Sequence, residues 1–178
     1  MDCKIWEAAR ATSATPTFFE RIEIGRNQPF VDGGVGCNNP SQVVLHEAKA
    51  LFGGARQIGC LVSIGTGQAT VINMEKPGLF DKSIDTLKAI STDCEGTHEA
   101  MLRLFANLPN TYFRLNVEQG MQGVEFFEWA KLANVEAHTT QYMLKNEVDT
   151  TLAELANAVT VPKGVLPIEQ LGMEESIL

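Results

Sequence analysis

Apolar residues recur along this chain at two spacings, and the places where the spacing changes mark its elements. Lys4-Ile5-Trp6-Glu7-Ala8-Ala9-Arg10-Ala11 reads as a short alanine-rich helix, broken by Thr12-Ser13-Ala14-Thr15-Pro16. The residue before a proline avoids the α region, so Thr15 is expected to be extended. Arg21-Ile22-Glu23-Ile24 alternates polar and apolar, as a half-buried strand does, and Gly25-Arg26-Asn27 ends it as a turn. Pro29-Phe30-Val31 is a short apolar approach, read as the end of a buried strand that pairs with the first as a hairpin. Ser41 to Phe52 has Val44, Leu45, Ala48, Leu51 and Phe52 on one side, the spacing of an amphipathic helix, and Gly53-Gly54 closes it. Ile58 to Gly65 is a near-continuous apolar run, expected of a strand buried on both faces of a parallel sheet. Residues 28–65 are thus predicted to form one strand–helix–strand crossover, with Thr66-Gly67 a second glycine turn beyond it.

Residues 68–82, with Pro77-Gly78, read as irregular loop. Ser83 to Leu108 is expected to be mostly helical, with a kink or break at Asp93–Gly96. Tyr112 to Val117 alternates and is strand-like; 119–123 is loop. Residues 125–159 carry helical periodicity, split into two helices. Phe126, Phe127, Trp129, Ala130 and Leu132 cluster in the first; Tyr142, Leu144, Val148, Leu152, Leu155 and Ala156 continue an apolar face whose ordinary use is core packing. The tail 160–178 holds Pro162, Gly164 and Pro167 and is expected to be loosely ordered.

Length and composition narrow the picture. The 178 residues suggest one domain, 44% hydrophobic and 20% charged, a globular composition. The net charge of −8 argues against nucleic acid and against electrostatic docking on anionic membrane, though not against apolar contact with lipid. No apolar run reaches the length of a transmembrane helix. Met1 to Trp6 has no signal-peptide character, and a cytoplasmic location is expected. Cys3, Cys37, Cys60 and Cys94 form no C-x-x-C pair, and His46, His98 and His138 are scattered, so no metal site is expected. An even cysteine count permits two disulfides, but buried free thiols are more usual in a cytosolic α/β protein.

The candidate chemistry centres on Val31-Asp32-Gly33-Gly34-Val35-Gly36-Cys37-Asn38-Asn39-Pro40. Asp32 follows a strand, the glycines suit a turn with positive φ, Asn39 suits a helix N-cap and Pro40 the first helical position. In open α/β sheets, sites form at the carboxyl ends of strands. A carboxylate held there could orient a histidine, accept a proton or bind a metal. The same tripeptide also serves as a plain turn.

Several stretches together resemble the patatin-like phospholipase family. They are Trp6 to Phe19 (WEAARATSATPTFF), then Val31-Asp32-Gly33-Gly34-Val35 with Asn38-Asn39-Pro40, then Leu61-Val62-Ser63-Ile64-Gly65-Thr66-Gly67, in that order. The likeness covers roughly 4–117 well and the helical remainder loosely, and is greatest to the patatin-like modules of large fungal proteins. It implies an α/β fold, a three-layer sandwich with a mainly parallel sheet, here incomplete at the N-terminus and carrying a helical C-terminal region. Residues 1–120 would be the C-terminal part of the phospholipase domain, 121–160 a helical extension packed on it, and 161–178 a loosely ordered tail. It also implies a lipid acyl hydrolase using a Ser–Asp dyad without a cofactor, on a lipid or acyl-ester substrate. Asp32 would be the general base, and Gly33 and Gly34 complete its motif.

The family's serine lies in a G-x-S-x-G elbow upstream of the aspartate. None of Ser13, Ser41, Ser63, Ser83, Ser91 and Ser176 has glycines at both −2 and +2. Ser63 comes nearest, yet it falls inside an apolar run where a buried hydroxyl is expected, not an exposed elbow. Two functional readings follow. The chain supplies the aspartate of a lipid acyl hydrolase and is inactive alone, or it is a non-catalytic binding or scaffold module. An unpaired sheet edge and apolar face would favour self-association. A Ser-His-Asp hydrolase is a third reading, for which each histidine reads better as a surface or satisfied residue.

Overall fold

A computed structural model describes residues 3–16, 18–67, 94–121, 124, 128–161 and 164–171. The chain divides into two compact units. One contains the residues up to Asn39 together with 73–95; the other contains Pro40–Ile72 and Gly96–Leu178.

The first unit is organised by a short helix and a hairpin. Helix α1 spans Ile5–Thr12. Its start is fixed where the Glu7 carboxylate accepts the Lys4 backbone N–H at 2.8 Å, and the Ser13 hydroxyl bonds back to the Ala9 carbonyl at its end. Ala11 and Ala14 are buried. Strands β1 (Ile22–Ile24) and β2 (Gln28–Phe30) pair antiparallel, Ile22 opposite Phe30, as the alternation predicts. Gly25 and Asn27 take positive φ (65° and 57°) in the turn between them.

Here the structure differs from expectation. Among the described residues β2 pairs with β1 alone, so the crossover read over 28–65 does not form as one paired sheet. Nor is the approach to Asp32 a buried strand: Gln28 and Pro29 are exposed, and Val31 is 51% exposed. A two-stranded ribbon offers one face for burial, and Ile24 occupies it.

The second unit holds α2 (Ser41–Phe52), β3 (Gln57–Ile58), β4 (Leu61–Ile64), most of helix α3 (94–104), β5 (Tyr112–Leu115), α4 (Leu132–Met143), α5 (Asn146–Thr160) and β6 (Leu166–Pro167). Strands β4 and β5 run parallel, Leu61 opposite Tyr112 and Ser63 opposite Arg114. β3 pairs antiparallel with β6. The parallel geometry and the two C-terminal helices agree with the sequence pattern. Helix α3 includes Glu95 and Gly96, so no break falls at those two, while Asp93, the rest of 83–93 and 68–82 lie outside the described residues.

The core of this unit comprises Leu45, Ile58, Leu61, Met101, Phe105, Ile168 and Leu171. Only part of the α2 stripe enters it: Leu45 is 3% exposed, whereas Leu51 and Phe52 are 73% and 68% exposed. β4 is not buried on both faces either. Leu61 and Ser63 turn inward while Val62 and Ile64, on the opposite face, are exposed, Ile64 at 77%.

The helical face is split in the same way. Val148 of α5 is buried, but Trp129, Leu132 and Leu144 are exposed, and Phe126 and Phe127 lie outside the described residues. Within the tail, residues 162–163 and 172–178 lie outside the described residues. Ile168 and Leu171 are 2% and 6% exposed, held by N–H bonds from Val165, Ile168 and Glu169 to the carbonyls of Ile58, Arg56 and Gly54. Pro167 is accommodated in β6 opposite Gln57, since a proline can occupy an edge strand, where its missing N–H is not needed, and Pro162 lies outside the described residues. Among the described residues no helix is long and apolar enough to cross a membrane.

Candidate functional site

The site is built from two segments of the first unit that the sequence separates. After α1 the chain turns through Ser13, and Ala14, fully buried, presents its carbonyl to the Asp32 backbone N–H at 3.1 Å. That bond ties the end of the helix segment to the residue two beyond β2. Thr15 follows, its own carbonyl accepting the N–H groups of Phe18 and Phe19. Asp32 itself is half-buried. Its Oδ1 accepts the Gly34 N–H at 2.8 Å, and its Oδ2 accepts the Thr15 hydroxyl at 2.5 Å. A short hydroxyl–carboxylate bond of this kind is among the stronger hydrogen bonds. Both oxygens thus have a donor, and each retains a lone pair for another.

Gly33–Val35 forms a 3₁₀ turn capped by Asp32, continued by the Cys37 N–H bonding to the Gly33 carbonyl at 2.7 Å. The glycines do not serve as expected. Gly33, Gly34 and Gly36 all avoid positive φ. Gly34 is required for close approach instead: a Cβ there would lie 3.0 Å from Asn38 Oδ1 and 3.1 Å from Asp32 Oδ1. Around Gly33 the space is open. The N-cap assignment also shifts by one. Pro40 takes that position, and Asn39, 2% exposed, donates its side-chain amide to the Cys94 carbonyl at 3.2 Å. Asn38 donates to the Cys94 sulfur at 3.0 Å.

Ser63, the nearest serine to an elbow, is elsewhere and otherwise engaged. It sits within β4, 7% exposed, and its Oγ accepts Arg114 Nη1 at 2.7 Å. The Arg114 Nε is buried and has no partner among the described residues. Beyond the strands, Gly67 donates its N–H to Asn116 Oδ1 at 2.7 Å. A cavity of about 270 Å³ follows β5, lined in part by Glu118, Gly120, His138, Tyr142 and Lys145. The hydrogen bond from Lys145 to Glu118 holds the ammonium above its ordinary range.

Of the histidines, His98 Nδ1 lies 3.0 Å from the Tyr112 hydroxyl, and His138 covers Gly120. His46 Nε2 is buried and has no partner among the described residues. None is a hydrogen-bond partner of Asp32, which the third reading would need. Among the described residues no disulfide joins the four cysteines: Cys3 is exposed, and Cys37, Cys60 and Cys94 are half-buried, less covered than expected.

Sequence reading missed Thr15. Only the proline after it marked the position, and no periodicity links positions 15 and 32. The partnership of Ser63 and Arg114 depends on the register of β4 against β5, which the sequence reading did not pair.

No protein-family model matches the chain. It is 36% identical over 115 residues to the calcium-independent phospholipase A2-gamma of Oryctolagus cuniculus, aligning 64% of this chain and 14% of that protein, and equally so to the Homo sapiens protein. It is 33% identical over 141 residues to phospholipase A I of Arabidopsis thaliana, covering 73% of this chain and 10% of that protein. It is 30% identical over 135 residues to patatin-like phospholipase 1 of Plasmodium falciparum, covering 64% and 20%. The chain thus spans at most a fifth of these relatives. Their names support the patatin-like phospholipase family.

Proposed function

We propose that this chain is the aspartate-bearing part of a patatin-like lipid acyl hydrolase, with Asp32 the general base of a Ser–Asp dyad on a three-layer α/β fold. The observation that carries the reading is the Asp32 carboxylate itself, half-buried and held by one donor on each oxygen. A serine hydroxyl is a weak nucleophile until an adjacent base takes its proton. A base must stand within hydrogen-bond reach of that proton in a fixed orientation. The oxyanion would also need backbone donors, and Gly34, the nearest, already serves Asp32. The 178 residues contain no G-x-S-x-G, so the nucleophile would come from an upstream segment and the chain alone would be inactive. The substrate class would be a lipid or another acyl ester, acted on in the cytoplasm. The likeness to modules of large fungal proteins rests on sequence alone.

A non-catalytic binding or scaffold module is the second reading, favoured by the missing elbow. A serine-reactive fluorophosphonate separates part of the question. The isolated chain is expected to remain unlabelled; stoichiometric labelling at any serine, Ser63 first, would contradict inactivity alone. The dyad itself is tested by joining a segment with a glycine-rich loop and a G-x-S-x-G elbow in frame before Met1. Short-chain ester hydrolysis should then appear, and its absence in a folded product would favour the scaffold reading.

A further inference from the structure

We propose that Thr15 is a positioning residue for the Asp32 carboxylate, an inference that rests on reading Asp32 as the base. The Thr15 hydroxyl reaches Oδ2 across seventeen residues, while the Gly34 N–H holds Oδ1. The last torsion of an aspartate is broad when nothing constrains it. A donor on each oxygen, from two different segments, stops that rotation unless a charge-assisted bond is broken.

Thr15 is itself well anchored. Ala14 before it is fully buried and bonded through its carbonyl to the Asp32 N–H, and its own carbonyl accepts two N–H groups. Branching at Cβ stiffens χ1, so a threonine aims its hydroxyl more narrowly than a serine does. The outcome is a carboxylate with one orientation and a free lone pair on each oxygen, which an incoming hydroxyl can meet without reorganisation. Thr15 needs no contact with substrate for this; it acts through Asp32.

The test has two arms, each using Thr15→Val, which keeps the shape and loses the hydroxyl, and Thr15→Ser, which keeps the hydroxyl. In the 178-residue chain, hydrogen exchange at the Gly34 amide should quicken about tenfold or more in Thr15→Val and stay within about threefold in Thr15→Ser. In the enzyme completed by an upstream segment, Thr15→Val should lower kcat about tenfold with KM within about twofold, and Thr15→Ser should recover most of the rate. Failure of either arm overturns the proposal. Should Thr15→Val not fold, Thr15→Ser decides: a folded serine variant with a tenfold lower kcat overturns it, and one near the wild-type rate supports it. Asp32→Asn in the same enzyme separates the two claims. If Asp32→Asn keeps full activity, the base assignment falls. If Asp32→Asn is inactive and Thr15→Val runs at the wild-type rate, the Thr15 inference falls alone.

Discussion

The two glycine turns of this protein look alike in sequence and hold their polar groups in opposite ways. Asp32 lies two residues past β2, outside any ladder, half-buried, with its oxygens oriented by Thr15 and Gly34. Ser63 lies inside β4, in register with Arg114, nearly sealed and bonded to a guanidinium. The difference shows what decides availability. A polar group beyond the last paired residue can be held by the turn and still face outward; one within the ladder is fixed by the sheet and covered by its neighbours. The glycines divide likewise. Gly67 takes φ of 114°, a region that resists side chains, whereas Gly34 is needed only because Asp32 and Asn38 crowd it.

Substitutions can break or sharpen this contrast, each read as a change in opening free energy by urea unfolding with amide exchange. Gly67→Ala should cost most, about 2–3 kcal/mol, since its Cβ would meet Met121 Cβ at 2.7 Å in a positive-φ turn. Ser63→Ala comes next, at about 1–2 kcal/mol, because it strips the Arg114 guanidinium of its acceptor. Gly34→Ala should cost about 1 kcal/mol by pressing on Asp32 Oδ1 and Asn38. Gly33→Ala is expected to be neutral or to gain up to about 1 kcal/mol, having open space and no positive φ. If Gly33→Ala were the costlier of that pair, the account of the Asp32 turn would be wrong.

Much of this was legible in the sequence, and particular residues show where legibility stopped. Alternation gave the β1–β2 hairpin, helical spacing gave α2, α4 and α5, and the apolar run at Leu61–Ile64 gave a parallel strand. These signals are local. The burial of Ile168 and Leu171 depends on where α2 and β4 leave a gap, which composition cannot report; two prolines suggested the contrary. The exposure of Ile64 and Phe52 has the same origin, since a pattern says which face is apolar and not what covers it. At the site, Asp32 and its turn could be read from residue types, but the Thr15 hydroxyl reached it through tertiary placement alone.

The central claim is that Asp32 is a base and not merely a turn residue. Asp32→Asn in the enzyme completed by an upstream G-x-S-x-G segment tests it most directly, because asparagine keeps the size and can still accept the Gly34 N–H. Ester hydrolysis should fall roughly a hundredfold to ten-thousandfold, the usual worth of a positioned proton acceptor, with folding unchanged. A folded Asp32→Asn enzyme that retains full activity would contradict the account.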